Sequence, residues 1–149
     1  PELITPIAQA LMLTGVKQAW VVHGSGLDEI ALHGKTQVTE ISHGELTEKE
    51  VTPSDFGLEN YTLEDIKGGT PEENAKFIQA ILAGKGQAAH NSAVIINCAA
   101  LLYLHREQLN GKADTLLLAA QHATQVLASG AATKTLADLV QISNSGVTA

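Results

Sequence analysis

Ala19-Trp20-Val21-Val22-His23-Gly24-Ser25-Gly26-Leu27-Asp28-Glu29-Ile30 is the stretch on which the reading of this chain turns. Ala19 to Val22 is a short uncharged run with two valines and a tryptophan, the composition of a buried strand. It ends at His23, and Gly24-Ser25-Gly26 then supplies a backbone that can take positive φ angles or let another group approach closely. Two adjacent carboxylates, Asp28 and Glu29, follow at once. Open α/β sheets bind ligands at the carboxyl ends of their strands, and a strand, a glycine turn and an acidic pair fit such an edge. Neighbouring carboxylates repel each other, and a hard divalent cation that prefers oxygen ligands relieves the repulsion. The residues point to a Mg²⁺ site at Asp28 and Glu29 serving a phosphate-bearing ligand. An ordinary solvated acidic pair is the alternative that these two residues leave open. A dinucleotide fingerprint is excluded, because Glu29 stands where its third glycine belongs and no helix is signalled there.

The totals narrow the class. A chain of 149 residues is long enough for one domain with its own core. With two Phe, two Tyr and one Trp, that core must be built mainly from Ala, Leu, Ile and Val. The formal charge of −7 argues against a nucleic-acid footprint, which needs a basic face, and against an anionic membrane surface. A phosphate-rich ligand would need local cations or a metal. Cys98 is the single cysteine, so no intrachain disulfide forms, which suits a reducing cytoplasm. The longest apolar run, Ala93 to Leu104, is too short for a bilayer and is interrupted by Asn97. With no signal peptide at its start, the chain is expected to be soluble. It begins at Pro1 without Met, as a processed product or an excised segment would.

Local signals set the order of elements. Thr5-Pro6 starts a helix with Ile4, Ile7, Ala8 and Leu11 on one face and Gly15 at its end. Thr36 to Ser42 is rich in β-branched residues, His43-Gly44 turns, and Glu45 to Thr52 alternates; with Ala19–Val22 these predict a small antiparallel meander ended by Pro53-Ser54-Asp55. From Tyr61 the chain reads as helical. Thr62 and Asp65 open a short turn ending at Gly68-Gly69. Thr70-Pro71-Glu72-Glu73 is a capping box with proline at the first helical position. Asn74, Phe77, Ile78, Ile81 and Leu82 face inward from that helix, and Gly84 stops it. Ala93 to Leu104 is apolar all round and reads as a central buried helix. Asp114 caps another helix running to Ala128. After Ser129-Gly130 a last helix spans Ala131 to Ile142, with Leu136, Leu139 and Val140 inward, and the tail Ser143–Ala149 frays. No repeat or linker divides residues 1–149. Strands in the first third and helices afterwards fit the sheet edge and covering helices of a larger α/β unit.

Other candidate residues read as structural. His23 beside the glycines can satisfy a turn or orient Asp28. His33 and His43 each precede a glycine in a turn. His90, His105 and His122 lack ligand-like spacing, so a zinc site is not expected. No Ser, His and Asp form a triad, and Cys98 reads as core rather than as a nucleophile. Asn97 inside an apolar helix must find a hydrogen-bond partner. The amino terminus at Gly68–Ala75 attracts anions, but Glu72 and Glu73 already complement its dipole.

Pro1-Glu2-Leu3, the run through Glu29, Asp55-Phe56-Gly57-Leu58 and Gly68-Gly69-Thr70-Pro71-Glu72-Glu73-Asn74-Ala75 together resemble the anthranilate phosphoribosyltransferases, in that family's order and similar spacing. The resemblance covers nearly all of this chain but only the carboxyl-terminal part, less than half, of such an enzyme. It implies an α/β fold of the nucleoside phosphorylase/phosphoribosyltransferase kind. This chain would be the C-terminal part of the large α/β domain, with the N-terminal helical domain and the glycine-rich phosphoribosyl pyrophosphate loop absent. It further implies transfer of a 5-phosphoribosyl group from phosphoribosyl pyrophosphate to anthranilate in tryptophan biosynthesis, with pyrophosphate released. Mg²⁺ is the implied cofactor, the family's acidic metal-binding pair falls on Asp28 and Glu29, and no other catalytic position maps here. The segment alone is expected to be inactive. A cytoplasmic homodimer formed through the helical domain is the implied assembly, with neither nucleic acid nor membrane as a partner. A pyrimidine nucleoside phosphorylase-like domain is the alternative of the same fold, and a non-catalytic helical interaction module is the alternative of another class.

Overall fold

β-branched residues and a two-residue turn make the first third of the chain a sheet. The structure is a computed structural model that describes residues 1–145. Three strands, β1 (Gln18–His23), β2 (Thr36–Ser42) and β3 (Glu45–Val51), form an antiparallel sheet in that order. Gln18 faces Ser42 and His23 faces Gln37; Thr36 faces Val51 and Ser42 faces Glu45. His43 at φ +50° and Gly44 at φ +82° close the β2–β3 hairpin with the twist that two-residue hairpins favour. The expected meander is present. β1, however, is half-buried along its whole length rather than a fully buried strand. It has one strand neighbour among the described residues, and an antiparallel edge strand does not need two apolar faces.

Helices cover both faces of this sheet. On one side lies α1 (Ile4–Leu13), whose Ile4 and Ala8 are buried, as is Ile41 of β2. Thr5, read from sequence as part of a helix start, lies in the first turn of α1 and also reaches the sheet: its hydroxyl donates to Glu48 Oε1 at 2.7 Å and lies 3.3 Å from Thr39 Oγ1. Ile7 is exposed rather than inward. On the other side Val38 and Val51 join a core with α3 (Ala88–Leu104) and α4 (Leu116–Ala128). Ala99, Ala100, Ala119, Ala120 and Ala123 are buried there, small side chains that let helices pack closely. Lys49 extends across this face to pair with Glu40, its Nζ 4.3 Å from the Trp20 ring centre, so its charge meets both a carboxylate and an aromatic face.

Phe56 explains the Asp55-Phe56-Gly57-Leu58 motif. A 3₁₀ turn at Pro53–Phe56, closed by reciprocal bonds between Thr52 and Asp55, drives Phe56 into the core at 1% exposure. Gly57 follows at φ +69°, where an added Cβ would lie 2.5 Å from Leu117 of α4. The Thr62–Asp65 pair makes a single turn, not a helix.

α2 (Pro71–Leu82) starts at the predicted box: Glu73 N–H donates to Thr70 Oγ1 at 3.3 Å and Thr70 N–H to Glu73 Oε2 at 2.8 Å. Ile81 is buried but Ile78 is exposed. α3 begins earlier than its apolar run, and one side of it is open: Cys98 and Leu101 are exposed, because no element of the described chain covers that stripe. α4 is capped by Thr115, not Asp114; Leu118 N–H donates to Thr115 Oγ1 at 3.2 Å. α5 (Ala131–Asn144) runs on through Ser143, where the sequence predicts fraying, and leaves Leu139 and Val140 exposed rather than inward. The rest of the expected tail, residues 146–149, lies outside the described residues. No helix of the described chain is long and apolar enough to cross a membrane.

Candidate functional site

The loop between β1 and β2 carries the acidic pair, and each of its ends is pinned. Gly24 and Leu27 exchange backbone hydrogen bonds of 3.0 and 3.1 Å around a two-residue turn, with Ser25 at φ +50° and Gly26 at φ +101°. The Ser25 hydroxyl donates to the Lys35 carbonyl at 2.7 Å, and His33 Nε2 lies 3.1 Å from the Ser25 carbonyl oxygen. Ile30, Ala31 and Leu32 are buried, and Ala31 N–H donates to the buried Thr36 hydroxyl at 2.9 Å. Asp28 and Glu29 are exposed on the short arc between these anchors.

The two glycines have different tasks. Gly26 supplies positive φ, with open space around it. Gly24 supplies room: a Cβ there would lie 2.2 Å from the Glu29 carbonyl oxygen and 2.7 Å from Ala31 N, both backbone atoms. The chain after the turn therefore folds back against Gly24, and any side chain at that position would push the acidic arc away.

Asn97 reaches this arc from the middle of α3. Its Oδ1 accepts the Ile30 N–H at 3.1 Å, and its Nδ2 donates to Ala93 O at 2.9 Å and Glu29 Oε2 at 3.2 Å. Sequence reasoning requires a partner for this residue but does not connect it to the acidic pair. The available signal is a single amide interrupting the otherwise apolar run from Ala93 to Leu104.

The remaining candidates do not converge on the pair. His23 ends β1, and His33 braces the loop through Ser25. His43 lies 3.9 Å from Glu107, and the His90 ring packs 5.0 Å from Phe77. His105 lines an apolar groove of about 350 Å³ together with Cys98, Leu101, Leu82 and Val126. Cys98 is thus at a groove wall rather than in the core, and loss of hydration there pushes its thiol above the ordinary range, which keeps it neutral.

The donor set fits Mg²⁺. Two exposed carboxylates offer oxygen ligands only, and neither forms an ion pair with Lys, Arg or His among the described residues. No group of three or more His, Cys, Asp or Glu among the described residues could cage a metal. Mg²⁺ is commonly held by one or two carboxylates, with water and substrate phosphate completing its octahedron, so two are enough.

Comparisons with known proteins agree with this fold. A sequence model described as "Glycosyl transferase family, a/b domain" matches residues 1–133. An anthranilate phosphoribosyltransferase from Colwellia psychrerythraea (strain 34H) is 65% identical over 147 residues, covering 99% of this chain and 39% of that protein. The solved anthranilate phosphoribosyltransferase from Thermus thermophilus is 37% identical with a TM-score of 0.76, covering 89% of this chain and 37% of that one. The Saccharomyces cerevisiae enzyme, solved in complex with PRPP and Mg, is 27% identical with a TM-score of 0.78, covering 91% of this chain and 38% of that one. The chain spans about two fifths of the length of the relatives it matches.

Proposed function

Since this chain belongs to the glycosyl transferase family, as a segment of its a/b domain, we propose that it is the part of an anthranilate phosphoribosyltransferase that holds Mg²⁺ through Asp28 and Glu29. The observation that carries the reading is the braced arc. Gly24 lies against the Glu29 backbone and Asn97 bonds the Glu29 carboxylate, on an arc after β1 that exposes Asp28 and Glu29 side by side, in a chain similar to an enzyme solved with PRPP and Mg.

The reaction is displacement at the anomeric carbon of the phosphoribosyl group: the bond to pyrophosphate breaks and a bond to the anthranilate amine forms. Bound Mg²⁺ neutralises charge on the departing pyrophosphate. Asp28 and Glu29 supply anionic oxygens for the cation, and their neighbours keep the backbone beneath them fixed. The phosphate-binding glycine loop and the anthranilate contacts belong, in this reading, to the portion of the relatives outside the match. These residues are a single segment of the large α/β domain and have no turnover alone. The complete enzyme works in the reducing cytoplasm, in tryptophan biosynthesis, as a homodimer joined through the family's helical domain.

The test is pyrophosphate release from phosphoribosyl pyrophosphate and anthranilate by the complete enzyme containing this segment. Turnover should require Mg²⁺ and fall steeply in Asp28→Asn. Turnover that is indifferent to Mg²⁺, or phosphorolysis of a pyrimidine nucleoside instead, would replace the transferase with the phosphorylase reading. Turnover by the isolated 149-residue chain would overturn the division of labour.

A further inference from the structure

We infer that Asn97 is a positioning residue for the acidic pair: its amide joins α3 to the Glu29 carboxylate and to the backbone immediately after it. The inference rests on the reading of Asp28 and Glu29 as the Mg²⁺ pair and adds a residue outside the loop to that site.

The orientation of the amide follows from its partners. Ile30 N–H can only donate, so the atom 3.1 Å away is the amide oxygen. Ala93 O can only accept, so the atom 2.9 Å from it is the amide nitrogen. The second proton of that nitrogen is then directed to Glu29 Oε2, at 3.2 Å, and Oε1 is left for another ligand. One side chain thus satisfies a backbone donor, a helix carbonyl and a carboxylate at once. The acceptor is a carboxylate, and the bond turns Glu29 Oε2 toward α3 without any cation.

A mere tie between helix and loop would need only the Ile30 bond. The bond to Glu29 adds no cross-link that Ile30 does not already provide, since the two residues adjoin. What it changes is the direction of the carboxylate. Hydrogen-bonded partners of metal-binding carboxylates orient them and raise affinity, and losing one costs about 10–100-fold.

The experiment titrates Mn²⁺, as a paramagnetic probe for Mg²⁺, into the complete enzyme containing this segment at a fixed concentration of inorganic pyrophosphate, and reads by electron spin resonance the fall in free Mn²⁺ beyond that of a protein-free control with the same pyrophosphate. Wild type should bind and Asp28→Asn should not. Asn97→Ala should stay folded by circular dichroism and bind about 10–100-fold more weakly. A folded Asn97→Ala with wild-type affinity overturns the positioning role and leaves the metal reading standing. A wild type that binds no better than Asp28→Asn overturns the metal reading, and the inference with it. Should Asn97→Ala fail to fold, the Asn97 side-chain amide protons of the wild type are followed by NMR through a Mg²⁺–pyrophosphate titration. A shift in step with saturation supports the inference, and an unmoved signal at saturation overturns it.

Discussion

A methyl group on Gly24 would sit 2.2 Å from the carbonyl oxygen of Glu29, well inside contact distance. The obstacle is backbone, so it cannot swing aside as a side chain could. Gly24→Ala is expected to lose about 1–3 kcal/mol of stability, as overpacked sites do. It should also weaken Mn²⁺ binding, because the arc that moves carries the acids. Gly26→Ala is the control: it meets nothing within 4 Å but forces Ala to φ +101°. It should cost about 1–2 kcal/mol and leave metal affinity close to wild type. Urea unfolding and Mn²⁺ titration of both variants separate the two effects.

Thr70 closes α2 by accepting the Glu73 N–H. Thr70→Ala should lower stability by about 1 kcal/mol, and Thr70→Ser should restore most of it. The urea midpoints of the three proteins check this, and equal midpoints for Thr70→Ala and wild type would refute the cap.

Phe56 sits in a turn packed against α3 and α4, with 1% of its surface exposed. Phe56→Ala is expected to cost about 3–5 kcal/mol through lost transfer energy and the cavity left behind. Phe56→Leu should cost much less, since it keeps most of the volume. Thermal unfolding distinguishes them, and a small loss in Phe56→Ala would mean that the site collapses around the gap.

Cys98 is accessible yet poorly ionised, its thiol raised by desolvation at the groove wall. Iodoacetamide should modify it more slowly than a free thiol at neutral pH, with the rate climbing at pH values above the usual thiol range. The linkage has a definite sign. A pKa raised by folding contributes stability that is complete below the ordinary thiol pKa and is lost as pH rises through the folded value. Cys98→Ser should flatten that alkaline decline. Rapid neutral-pH alkylation would contradict the neutral thiol.

Elements whose signals are local were legible in the sequence. His43-Gly44 marks the β2–β3 turn, and Thr70-Pro71-Glu72-Glu73 marks the start of α2, because hairpin twist and helix capping depend on a few adjacent residues. Coverage was not legible. Leu101 and Leu139 read as inward because an apolar stripe announces that it favours burial without naming what buries it, and both are exposed. The choice between Asp114 and Thr115 as a cap turns on one residue of backbone geometry. At the site, the adjacency of Asp28 and Glu29 can be read directly. The approach of residue 29 to Gly24 and the reach of Asn97 are long-range packing facts, and local sequence signals do not encode them.

From Ala93 to Leu104, α3 is of nearly uniform greasiness, and such a cylinder has little reason to prefer one seating over the next. Asn97, the one amide in that run, supplies the reason. Sliding the helix one turn along its axis, about 5.4 Å, would carry Asn97 out of reach of the Ile30 N–H and strand polar groups on both sides. One interior amide therefore works as an alignment key, admitting a single placement of α3 against the rest of the molecule.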